Sequence, residues 1–167
     1  MKLSNKSQKL AILAALSVGV ISFRGFSDGN TAETSALAKI QVKARIQIQK
    51  QSDLLFPNAY QGDPEQSVAP SDAGAAEFLV TGEKGKSFSI SYPDSSILMT
   101  TGTGDTADKQ IQVNGFISDQ AGELGILDPS TGALAVKVGA TRAALSNTQV
   151  VADDYSGQFR VRVTYLN

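Results

Sequence analysis

The chain has 167 residues, 41% hydrophobic and 19% charged, with a formal net charge of −1. That profile fits one ordinary globular domain plus a leader and excludes a disordered chain. It holds no cysteine, histidine or tryptophan, which removes disulfides, thiolate nucleophiles, histidine bases and the commonest zinc ligands, and leaves acid–base chemistry to 16 Asp and Glu.

Residues 1–27 read as a secretion signal. Lys2, Lys6 and Lys9 precede the apolar run Leu10–Phe23, which is too short for a comfortable membrane span and suits a signal core. Small-x-small cleavage patterns fall between residues 22 and 38. Removing 1–27 leaves 11 of the 15 basic residues against 16 acidic ones, a net charge of −5. A mildly acidic surface offers no footprint for nucleic acid.

The next feature is ALAKIQVKARIQIQ, residues 36–49. Ala36, Ala38, Ile40, Val42, Ala44, Ile46 and Ile48 alternate with polar residues, Leu37 apart. Period 2 marks a half-buried strand. Run continuously from 36 to 48 it would span roughly 43 Å at about 3.3 Å per residue, longer than a small sandwich needs. Residues 57–74 hold three of the five prolines and read as a surface loop or irregular edge.

Glu77–Thr81 and Lys86–Tyr92 are β-rich and joined by Gly82–Gly85, which predicts a hairpin. Ile97–Thr101 is a short strand and Gly102–Asp108 a loop. Lys109–Ile117 alternates again, with a bulge expected at Asn114-Gly115. Ser118–Gly125 reads as loop, and Asp128–Gly132 as a turn. Leu134, Val136 and Val138 alternate, and Thr141–Leu145 fits a helical turn. The chain closes on Tyr155–Asn167, with Phe159, Val161, Val163 and Tyr165 on one face.

Many short strands with turns between them predict an all-β fold, a β-sandwich. An immunoglobulin-type sandwich ends on two adjacent strands, yet the sequence supplies only one after the last turn. The expectation is therefore an incomplete immunoglobulin-like β-sandwich lacking its final strand. Residues 44–50 would be its first strand and residues 28–43 an N-terminal extension carrying a donor strand, with the sandwich over 44–167. Ala36, Ala38, Ile40 and Val42 would fill, in a neighbouring copy, the groove floored by Phe159, Val161, Val163 and Tyr165.

The closing YSGQFRVRVTYLN resembles the last strand of archaic chaperone–usher pilins and of the spore coat protein U family. Ile46–Phe56 (IQIQKQSDLLF), Phe78–Ile90 (FLVTGEKGKSFSI) and Leu134–Ala140 (LAVKVGA) resemble, in order, the motifs of a related family of secreted bacterial domains of unassigned function. The resemblance implies a pilin-like subunit secreted through the periplasm to a surface fimbrium and polymerising with itself by donor-strand exchange. It also implies handling by a periplasmic chaperone and an outer-membrane usher, with no cofactor, no metal and no catalysis.

The rival expectation is a self-contained secreted module that keeps its own first strand and binds a surface or glycan. Seven Phe, four Tyr and no Trp give little for stacking sugars. Asp153-Asp154 is the only adjacent acidic pair, placed where acids make turns. Gly102–Asp108 lacks the ligand order of a calcium loop.

Overall fold

A computed structural model describes residues 31–166. The expected signal, 1–27, lies outside the described residues. The chain divides into two compact units, Met1–Ile40 and Gln41–Asn167. In the first, residues 31–40 are exposed and carry no regular secondary structure.

The second unit is an all-β sandwich with nine strands among the described residues: β1 Gln47–Ser52, β2 Gln66–Val68, β3 Ala76–Thr81, β4 Ser87–Ser91, β5 Ser96–Thr100, β6 Gln110–Ser118, β7 Leu124–Ile126, β8 Ala133–Arg142 and β9 Arg162–Tyr165. Among the described residues helix is limited to two single 3-10 turns, Ala107–Lys109 and Ala121–Glu123. One sheet runs β1-β3-β8-β6-β5, with β2 also on β8; the other runs β7-β4-β9. All pairings are antiparallel. β8 is the spine of the larger sheet. Its first half pairs with β3 (Ala133↔Thr81 to Val138↔Ala76) and its end with β2 (Ala140↔Val68 to Arg142↔Gln66).

Between the sheets lie Val80, Phe88, Ile90, Leu127, Val136 and Val138, each almost wholly buried. Leu127, just past β7, apart, their places along β3, β4 and β8 direct them inward while Ser91, Ala135 and Lys137 face water. Burying such side chains contributes about 1.5–3 kcal/mol each. In a chain without disulfides, packing carries the stability.

Four expectations change. The runs 77–81 and 86–92 do not form a hairpin: β3 pairs with β1 and β8, while β4 pairs with β7 and β9 in the opposite sheet. Both edges of β3 are taken, and Phe88 and Ile90 complete the core only when they face β3 and β8 from the other layer. Gly82–Lys86 is therefore a crossing, turned by Gly85 at φ +70°.

The long alternating run is strand only from Gln47. Gln47 pairs with Thr81, the last residue of β3, so residues before 47 have no β3 backbone opposite them. Thr141–Leu145 is not helical; β8 continues to Arg142 because β2 and β6 offer it a ladder on each side. The closing strand is also shorter than expected. Ser156 exchanges hydrogen bonds with Thr100 of β5, and residues 157–161 then pass to the other sheet, where β9 begins. The expected bulge is present: register shifts between Asn114 and Ile117, with Gly115 at φ +64°.

Candidate docking cleft

β1 ends the larger sheet and β9 ends the smaller one. They lie on the same side of the sandwich, and among the described residues no strand pairs with the outer edge of either. The far edge of the larger sheet differs: Ser156 bridges β5, and a Cβ on Gly157 would sit 2.5 Å from the Leu98 carbonyl, so this segment lies flush against that edge. Between β1 and β9 runs an open cleft of about 400 Å³, walled by Ile46 and Ile48 on one side and Val161 and Val163 on the other. All four are half-buried. In a closed sandwich such aliphatic side chains would face a further strand.

The backbone of β9 shares this openness. The Leu166 N–H donates to the Ser87 carbonyl at 3.0 Å, and β4 and β9 are paired Phe88↔Tyr165 and Ile90↔Val163. Antiparallel pairs alternate between bonded and non-bonded. The N–H and C=O groups of Val163 and Tyr165 therefore point away from β4, toward the free side.

At the far end of β9 the Tyr165 hydroxyl ties three segments together. It accepts the Glu83 N–H at 2.6 Å and donates to the Ala44 carbonyl at 3.3 Å. A Cβ on residue 82 would lie 2.1 Å from this oxygen, so Gly82 is what lets the ring in. A second open cavity, about 580 Å³, surrounds this knot and is lined by Ile46, Tyr165 and Leu166 with Lys43, Arg45 and Lys86 at its rim. At the opposite end of the cleft, Arg160 clasps Asp94 through two charge-assisted bonds of 2.9 and 2.7 Å. The guanidinium holds the Asp94 carboxyl below its ordinary range, chiefly by direct hydrogen bonding.

The four residues expected to floor a groove are thus distributed. Val161 and Val163 line the first cavity and Tyr165 the second. Phe159 instead packs into an aromatic cluster, stacked on Phe116 at 4.8 Å and edge-on to Phe78 at 6.2 Å. The four residues expected to donate, Ala36, Ala38, Ile40 and Val42, lie outside any strand and are exposed, Ile40 at 89% and Val42 at 87%.

Ile46 and Ile48, half of the cleft wall, were legible only as part of the opening strand. The signal was present, because they continue the alternation of Ile40 and Val42. Asp154 accepts a hydrogen bond from the buried Thr101 hydroxyl, a long-range contact rather than the local turn expected for acids there. In the Gly102–Asp108 loop, Asp105 is engaged by Lys109 and Thr103. No cluster of three or more potential metal ligands is found among the described residues.

Residues 58–165 match a family described as a domain of unknown function, DUF4402. The chain belongs to this family. The DUF4402 match takes in β2 to β9 and begins after β1, so the Ile46–Ile48 wall of the cleft lies outside the matched residues. Among curated proteins nothing matches the chain, and nothing matches among solved structures.

Proposed function

We propose that this DUF4402 protein is a structural subunit of a surface fibre whose copies are joined by strand addition. Residues 36–42 of one copy enter the cleft between β1 and β9 of the next. Ile40 and Val42 pack against Ile46, Ile48, Val161 and Val163, and the arm's backbone pairs with the free groups of Val163 and Tyr165. The body is then an immunoglobulin-like sandwich completed in trans. The resemblance to chaperone–usher pilins adds a periplasmic chaperone that lends a strand before assembly and an usher that exports the subunits.

The observation that carries this reading is the coincidence of two sheet edges, unpaired among the described residues, around one cleft walled by Ile46, Ile48, Val161 and Val163 with Arg160 and Arg162 also lining it, in a chain whose exposed arm alternates with the period a strand requires. A head-to-tail contact of this kind does not close, so it yields an open filament.

The absence of cysteine makes the test clean. The double variant Ile40→Cys, Val163→Cys is oxidised under mild conditions and run on a non-reducing gel. Strand addition between copies gives a ladder of cross-linked multimers, abolished by Ile40→Cys or Val163→Cys alone. A self-contained module, with its arm in its own cleft, gives one fast-migrating monomer band, and that result rejects the fibre reading.

A further inference from the structure

The cavity around Tyr165 has a charge character that the cleft alone does not explain. Strand registers order the sandwich along its length. Gln47 of β1, Thr81 of β3, Ala133 of β8 and Tyr165 of β9 all lie at one end. Lys43, Arg45, Lys84 and Lys86 stand there against Glu83 and Asp128. The Asp128 carboxylate is turned in on its own loop, accepting from Ser130 N, Thr131 N and the Thr131 hydroxyl. This end is therefore a cationic rim around an apolar hollow of Ile46, Tyr165 and Leu166.

The other end is its complement. Gln66, Arg142, Gln110 and Thr100 mark it in β2, β8, β6 and β5. The loops beyond them bring together Asp63, Glu65, Asp105, Asp108, Asp153 and Asp154. Lys109 is a half-buried cation among them, already paired with Asp105 at 2.8 Å; Arg142 is buried beneath, and Arg160 is spoken for by Asp94. Two apolar side chains protrude from the same loops, Tyr60 at 81% and Val151 at 82% exposure.

We infer that the basic-rimmed cavity is a docking surface for a second copy of this chain, whose acidic end seats on it. Two independent features select this occupant. The charges are complementary, and Tyr60 and Val151 supply apolar surface for the hollow. The Tyr165 hydroxyl also holds Ala44 at the basic end, so the arm leaves the body there and brings that end to whichever copy the arm enters. Tethering by the arm raises the effective concentration of the two ends, and opposite charge orients and speeds their encounter. The inference rests on the strand-addition reading and adds a second contact, body to body, which sets which end of the neighbour is met.

The test measures the rate of ladder formation by the full mature chain carrying Ile40→Cys and Val163→Cys. In one variant the acidic end is reversed by Glu65→Lys and Asp153→Lys; in another the basic end is reversed by Lys43→Glu and Arg45→Glu. A third carries all four changes. Circular dichroism and thermal melting check that each is folded. At low salt each one-ended reversal is expected to slow laddering by about tenfold or more, and the four-fold variant, with its charges exchanged end for end, to recover. At about 1 M salt, where the screening length is about 3 Å, the differences should vanish. Laddering indifferent to the reversals at low salt overturns the docking inference while leaving strand addition intact. No ladder from the parent cysteine pair at all overturns strand addition, and the docking inference with it.

Discussion

Tyr165 carries more than its place in an alternating strand announces. Its ring position follows from the period-2 pattern Phe159, Val161, Val163, Tyr165, but its hydroxyl contacts Glu83 and Ala44, far away in sequence and invisible to any local pattern. Tyr165→Phe keeps the ring and leaves the Glu83 N–H without its acceptor, so unfolding in urea should show a loss of about 1 kcal/mol. Tyr92 is a second case. Burial, then the Glu123 carboxylate it bonds at 3.0 Å, push its phenol well above the ordinary tyrosine range near 10. A raised folded-state value favours the protonated form. Its contribution to stability is complete below about pH 10 and is lost as pH rises beyond that. The urea midpoint of the parent chain should therefore fall as pH rises above about 10, and Tyr92→Phe should remove part of that slope. A slope identical in both would reject the assignment.

At the level of strands, the sequence displayed nearly every β-run and misled on partners. Residues 77–81 and 86–92 have hairpin chemistry between them, yet they separate because β3 has both edges filled and Phe88 belongs to the opposite layer. Which edge is free is a property of the sheet, not of any strand, and so β1 and β9 could be named as strands but not seen as the walls of one cleft. The short β2 and β7 were hidden in stretches that read as loop; three residues are too few to establish a period. The free edge of β9 makes a specific demand. In the monomer the amides of Val163 and Tyr165 should exchange with solvent faster than those of Arg162 and Thr164, and they should become protected in the polymer. The donor side has its own test. Burial of an Ile contributes about 1.5–3 kcal/mol, and 1.4 kcal/mol is a tenfold change in affinity. Ile40→Ala should thus weaken subunit association by about tenfold or more, read from the subunit concentration needed for polymer. Lys39→Ala, one residue away on the opposite face of the strand, should change it little.

Taken whole, the strand-addition proposal implies that fold stability and assembly are coupled. The acidic character of residues 51–83, which contain no Lys or Arg, is plain in the sequence. That Asp63 and Glu65 meet Asp105 and Asp153 at one end is not, since only the β2-β8-β6-β5 neighbourhood brings those loops together. The same holds for the cleft, which is open in the isolated body and, on the strand-addition proposal, would gain packing from a neighbour's arm. A strand supplied from outside should therefore stabilise the fold itself. The variant Ile40→Asp, Val42→Asp serves as an acceptor that cannot donate, and a synthetic peptide of residues 34–43 as the donor. A ligand that binds only the folded state at a hundred times its dissociation constant adds about 2.7 kcal/mol. For a domain of this size each kcal/mol is worth about 2–4 °C, so saturating peptide should raise the melting temperature by about 5–10 °C. The same peptide with aspartates at positions 40 and 42 should do nothing. Equal shifts from both peptides, or none from either, would mean that the cleft is not completed by Ile40 and Val42, and would reject strand addition by this arm.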